Sequence, residues 1–195
     1  MKTKKTASRS FVNSPVIGYP GNNILGTKTV VRKLKRRDLG KSMIWFKDPS
    51  VNKFLSHDFN NLTVGQEEAW YDFLQNSKND LVFAVLDKND LKHIGNCALH
   101  KIDPVKNTCE IGIVIGEKKH WNRGFGSDAV KSVIRFAFNS LNLSRILLNV
   151  YSYNKRAIRS YKKCGFVQVK VLEKNHFYDG EYWDTLVMEC SRAAG

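Results

Sequence analysis

The sequence predicts an α+β protein: one mixed, mostly antiparallel sheet of about seven strands, with about four helices. Three observations carry this. Most of the β-like segments follow one another through short turns, which is hairpin connectivity and therefore antiparallel. One pair of β-like segments is separated by a long amphipathic helix, and a helical crossover forces that pair to run parallel. The chain is also long enough for a single domain with a sizeable core, at 195 residues, 42% apolar and 26% charged.

Each element has its own local reason. Residues 1–26 read as a basic extension, with Lys2, Lys4, Lys5 and Arg9 followed by the turn-rich NSPVIGYPGNN, a composition suited to disorder. The folded domain is expected over 27–191, with a short tail at 192–195. It opens with TVVRKLK, an alternating strand from Thr27. Asp38 to Lys47 reads as a short helix, interrupted at Asp48-Pro49 because the residue before proline resists helical dihedrals. Thr63 and Gln66 form a capping-box pattern for a second helix, in which Ala69, Trp70, Phe73 and Leu74 fall at helical spacing. LVFAVLD, HIGNCALHKI and CEIGIVI are then three strands in succession.

A loop with two glycines leads into the long helix, from about Gly126 to Asn139. There Ala129, Val130, Val133, Ile134, Ala137 and Phe138 make one broad apolar stripe. RILLNV is a strand, and Asn154 to Cys164 is a helix that Gly165 is placed to end. Two strands close the chain across Asp179-Gly180, a tight-hairpin signal. The order is β-α-α-β-β-β-α-β-α-β-β, with no internal repeat.

Composition narrows the function. No apolar run approaches the roughly 18–20 residues of a membrane span, and no apolar signal core follows the basic N-terminus. A cytoplasmic location without membrane contact is the expectation. Cys97, Cys109, Cys164 and Cys190 are scattered without ligand spacing, which points to buried small hydrophobes rather than to disulfides or a metal site. The net charge is +14. Arg32, Lys33, Lys35, Arg36 and Arg37 crowd one segment, consistent either with attraction to nucleic acid and other polyanions or with a solvated face.

The chemistry concentrates in EIGIVIGEKKHWNRGFGSDAV, Glu110 to Val130. A strand, a glycine-containing loop and a helix N-terminus together aim unpaired N–H groups at one point, where the helix dipole also favours an anion. Gly124 and Gly126 let the backbone approach a pyrophosphate, and Arg123 adds positive charge. A dinucleotide fingerprint is absent because position 129 is Ala, and no GK[ST] completes a nucleoside-triphosphate loop.

The loop WNRGFG resembles the pyrophosphate-binding signature of the GCN5-related N-acetyltransferases (GNAT). NKRAIRSYKKCGF, Asn154 to Phe166, is similar to their later N-x-x-A-x-x-x-Y-x-x-x-G-F motif. FYDGEYWDTLVM resembles the closing hairpin of the branch containing the RimJ/RimL-type enzymes, which acetylate ribosomal proteins, and bacterial spermidine acetyltransferases. The likeness spans about Thr27 to Glu189, with Trp121 standing where many members carry Gln or Arg.

This resemblance implies a GNAT fold with a splayed parallel strand pair, and an enzyme that transfers acetyl from acetyl-CoA to a primary amine without a metal. It implies Tyr161 as the general acid for the leaving thiolate, with a satisfied core tyrosine as the plainer role. Glu110 is the candidate base, or else a surface glutamate paired with a lysine. His57, Asp58, His100 and Glu117 are weaker candidates. Main-chain groups of Ile113, Val114 and Ile115 would hold the pantetheine arm. Trp121, Asn122, Arg123, Gly124, Phe125, Gly126 and Ser127 would cradle the pyrophosphate. Asn154 would bond the coenzyme or cap its helix.

The acceptor stays open between a protein α-amine and a polyamine such as spermidine, for which Glu67, Glu68 and Asp72 offer carboxylates, although the wet face of their helix is the plainer reading of these three. An aminoglycoside or amino sugar is a further alternative, and a catalytically inactive nucleic-acid-binding module belongs to another class. Ribosome contact through the basic segments and a homodimer are the partner expectations.

Overall fold

The computed structural model describes residues 18–56 and 59–192. Among these, eight strands form one sheet in the order β1-β2-β3-β4-β5-β6-β8-β7. The strands are β1 (Ile24–Leu25), β2 (Thr29–Lys33), β3 (Leu81–Asp87), β4 (His93–Asp103), β5 (Thr108–Ile115), β6 (Arg145–Tyr151), β7 (Val167–Tyr178) and β8 (Glu181–Ser191). The helices are α1 (Leu39–Lys47), α2 (Pro49–Asn52), α3 (Val64–Asn76), α4 (Phe125–Asn139) and α5 (Lys155–Lys163). Every neighbouring pair is antiparallel except β5 and β6, the pair that the crossover helix α4 separates.

The order therefore follows the sequence pattern, with two additions. Packing begins before Thr27. Strand β1 pairs with Val30 and Val31, and the Tyr19 hydroxyl accepts from the Val82 amide at 3.0 Å. The stop at Asp48-Pro49 is itself a helix start, because the Asp48 carboxylate accepts from the Ser50 amide at 2.9 Å and Pro49 opens α2.

Helix α4 covers one face of the sheet. Its Ala129, Val130, Val133 and Ala137 pack in one cluster with Phe83, Val85, Leu99 and Ile146. The other face carries Val30, Val82, Ala84 and Ala98, which Leu39 of α1 and Leu74 of α3 cover. The capping box at Thr63 and Gln66 forms as expected. The inward face of α3 differs from the predicted one: Glu67 and Leu74 are buried, while Ala69 and Phe73 are exposed. The inward stripe is 67, 70, 71 and 74, which shares two members with the predicted stripe and turns the others out.

All four cysteines are buried and free, and burial pushes the Cys97 and Cys109 thiols up to about 12. The basic segment is partly committed within the fold. Arg32 is bound to Asp38 at 2.7 Å, and Arg36 to Asp72. No helix among the described residues is long and apolar enough to cross a membrane.

Candidate active site

The ladder between β5 and β6 is three residues long, from Thr108↔Arg145 to Glu110↔Leu147. Beyond it the strands diverge around a cleft of about 700 Å³. Just past β5 the Gly116 amide donates to the Ile94 carbonyl of β4. Strand alternation then turns the main-chain groups of Ile115 and Ile113 away from β4 and into the cleft. Val114, opposite Asn96 in the β4 ladder, contributes wall rather than open edge. Ile115 is also not wholly open, because its carbonyl accepts from the Trp121 indole at 2.5 Å.

The far end of the cleft is built for an anion. Gly124 caps α4 with φ +85°, a left-handed conformation natural to glycine, and this turn presents the first free N–H groups of the helix. Asn122, at φ +59°, precedes it. Trp121, Asn122, Gly124, Gly126 and Ser127 line the cleft, with Arg159, Ser160 and Lys163 across it on α5. The Ser127 and Ser160 hydroxyls lie 2.8 Å apart. An open strand edge, a helix N-terminus and two cations fit the pantetheine arm and phosphates of a coenzyme A.

Two predicted members stand aside. Phe125 is buried with its ring edge-on to His120 at 4.7 Å, and Arg123 lies over Phe125 and donates to the Lys119 carbonyl. Neither side chain lines the cleft.

Tyr161 does line the cleft and is 9% exposed. Among the described residues no protein group is hydrogen-bonded to its hydroxyl, and burial holds the phenol well above its ordinary value, hence protonated. Asn154 is buried at the start of α5, where its Oδ1 accepts from the Ala157 amide at 3.2 Å. This is the capping role, and it leaves the amide N–H₂ beside the cleft. Glu110 is bound to Lys101 at 2.9 Å, beside the last rung of the parallel ladder, and lies outside the cleft lining. His100 pairs with Asp80 at 2.8 Å and Glu117 with Lys41 at 3.0 Å. His57 and Asp58 lie outside the described residues.

Several lining residues had no sequence signal. Arg156 stacks on Trp121, its guanidinium 3.8 Å from the ring centre, and lies 5.6 Å from Phe54. Tyr151 and His176 stack at 3.8 Å between centroids, with Tyr153 parallel to Tyr151 at 5.4 Å. These rings come from β6, the turn after it and β7, so only the fold brings them together.

A family model described as an acetyltransferase (GNAT) domain matches residues 28–167. The chain belongs to this family. The acetyltransferase is 29% identical over 146 residues to the uncharacterized N-acetyltransferase p20 of Bacillus licheniformis, covering 71% of this chain and 79% of that protein. It is 32% identical over 91 residues to the spermidine N(1)-acetyltransferase of Vibrio cholerae, covering 47% of this chain and 52% of that one. Among solved structures it resembles a chimera of the Vibrio cholerae spermidine N-acetyltransferase SpeG and hSSAT, with TM-score 0.72 and 26% identity over 85% of this chain and 96% of that chain. The Vibrio cholerae enzyme in complex with CoA and spermine shares the fold at TM-score 0.78 and 24% identity, over 85% and 96% of the two chains. With this family the chain is an N-acetyltransferase, and its sheet is the mixed α/β GNAT sheet.

Proposed function

We propose that the chain transfers the acetyl group of acetyl-CoA to a primary amine by direct attack on the thioester. The observation that carries this reading is one side chain. Tyr161 lines the cleft between the open β5 edge and the α4 N-terminus, with a protonated hydroxyl that no protein group among the described residues occupies.

In this reading the main chain of Ile113 and the amide of Asn154 hold the pantetheine arm. The Gly124–Ser127 amides, with Arg159 and Lys163, hold the phosphates. The neutral amine attacks the carbonyl carbon; a C–N bond forms and the C–S bond breaks. The sulfur leaves with the proton of Tyr161, and the amine's own proton goes to solvent, from which Tyr161 is reprotonated. Because Glu110 is bound to Lys101, water in the cleft is favoured as the proton acceptor. The names of the Vibrio relatives support a polyamine acceptor, and the likeness of the closing hairpin to RimJ/RimL-type enzymes supports a protein α-amine.

The test is free-thiol release from acetyl-CoA across a panel of amines, with Tyr161→Phe in parallel. Turnover on one class is expected. The substitution should lower kcat by about 10²- to 10⁴-fold, the usual worth of a positioned acid, with acetyl-CoA affinity unchanged. Equal kcat in both proteins would remove the acid role. No acetyl-CoA binding at all would remove the transferase reading.

A further inference from the structure

The acceptor end of the cleft is aromatic and amidic. Tyr151 and His176 line it as a stacked pair, and Phe54, from the segment after α2, Asn149 and Asn175 line the same cleft. Apart from these rings, the charged side chains lining the cleft among the described residues are cations: Arg156, Arg159 and Lys163. Arg156 is the one beside the aromatic bank, and it forms no ion pair among the described residues. No carboxylate lines the cleft among the described residues, and Glu68 is exposed on α3. Asp72 is bound to Arg36, Glu110 to Lys101, and Glu67 is buried under α3.

We propose that the acceptor is an amino sugar, a single amine on a hydroxylated ring, rather than a polyamine. The inference rests on the acetyl-transfer reading above and names its substrate class. The C–H face of a sugar ring packs on an aromatic face, and its hydroxyls exchange hydrogen bonds with side-chain amides. Asn149 and Asn175 supply two such amides, each with donors and an acceptor. The Arg156 guanidinium, left free of the phosphates, selects in the same direction. It disfavours every additional ammonium on the acceptor, and it lowers the pKa of the one amine that must be neutral to attack. An amine flanked by hydroxyls is also a weaker base than one on an alkyl chain, which suits a cleft whose nearest glutamate, Glu110, is already paired.

The experiment compares kcat/KM for thiol release by the full chain with spermidine and spermine against glucosamine, glucosamine 6-phosphate and UDP-linked glucosamine bearing a free amine. Acetyl-CoA binding is measured separately by calorimetry. The best sugar is expected to exceed spermidine at least tenfold. Tyr151→Ala should lower kcat/KM for that sugar at least tenfold, mainly through KM. Tyr151→Phe, which keeps the ring, should stay within about threefold, and both variants should bind acetyl-CoA as the parent does. Spermidine equal to or better than every sugar overturns the proposal. So does acetyl-CoA binding with no sugar acetylated. Loss of acetyl-CoA binding in the parent would instead overturn the transfer reading beneath it.

Discussion

Glu67 sets a pH dependence on its own. It sits in the first turn of α3 at 4% exposure, and its Oε1 has no hydrogen-bond partner among the described residues. Burial pushes its carboxyl up to about 7, against an ordinary value of 4.5. The helix dipole would favour the anion by about 0.3–1 kcal/mol, which is smaller than this desolvation. The folded chain therefore holds a proton that the unfolded chain releases above about 4.5. Stability is full below that pH, falls as pH rises towards about 7, and levels off above it. At about 1.4 kcal/mol per pH unit the loss approaches about 3 kcal/mol. Glu67→Gln should match the parent near pH 5 and exceed it at pH 8 by about 1–3 kcal/mol in urea unfolding. An equal difference at both pH values would show that no proton is held there. Sequence placed this residue on the wet face of α3, because Phe73 made the rival stripe look more apolar. The choice between stripes depends on the sheet surface beneath, which no local pattern carries. By contrast Gly124, Asn154 and Tyr161 were legible, since a left-handed cap, a helix cap and the tyrosine of a spaced motif are all local.

At the scale of elements, the aim of α4 depends on a clamp from Asp128. Its carboxylate accepts from the amides of Thr27, Lys28 and Thr29 and from the Thr29 hydroxyl, at 2.7–2.9 Å. Burial alone would raise this carboxyl, but the bonds from Thr29, Lys28 and Thr27 outweigh it and hold it below its ordinary value. The helix whose N-terminus opens on the cleft is thereby tied to the start of β2. Asp128→Ala should cost about 2–4 kcal/mol, from lost charge-assisted bonds and a buried Thr29 left unpaired. Denaturant midpoints measure this. The gap between parent and variant should narrow as pH falls below the carboxylate range, because a depressed carboxyl contributes only while ionised. A gap that stays constant into acid would contradict the clamp. The helix and its loop were readable from WNRGFG and the apolar stripe. The clamp was not, because its partners lie about a hundred residues away in the chain.

For the whole molecule, sheet order follows chain order from β1 to β6, and only the last two strands exchange places. Strands β1 to β5 lie on one side of the cleft and β6, β8 and β7 on the other, joined by three rungs and by α4. The crossover rule made the parallel pair legible, but not the point where its ladder ends. Beyond that point the Trp121 indole occupies the Ile115 carbonyl, a contact that no local pattern carries. The ending has a kinetic consequence. Amides in the middle of an eight-stranded sheet ordinarily trade their hydrogens for deuterium only on global opening. The Ile113 amide faces the gap, so it should exchange on the timescale of a frayed margin, orders of magnitude faster than Val85 or Leu99 nearby. Saturating acetyl-CoA should slow it sharply and leave Val85 unchanged. Slow exchange in the free protein would mean that the gap closes in solution. A strand at the centre of the sheet would thus keep the clock of one at its border until the coenzyme fills the place of its missing neighbour.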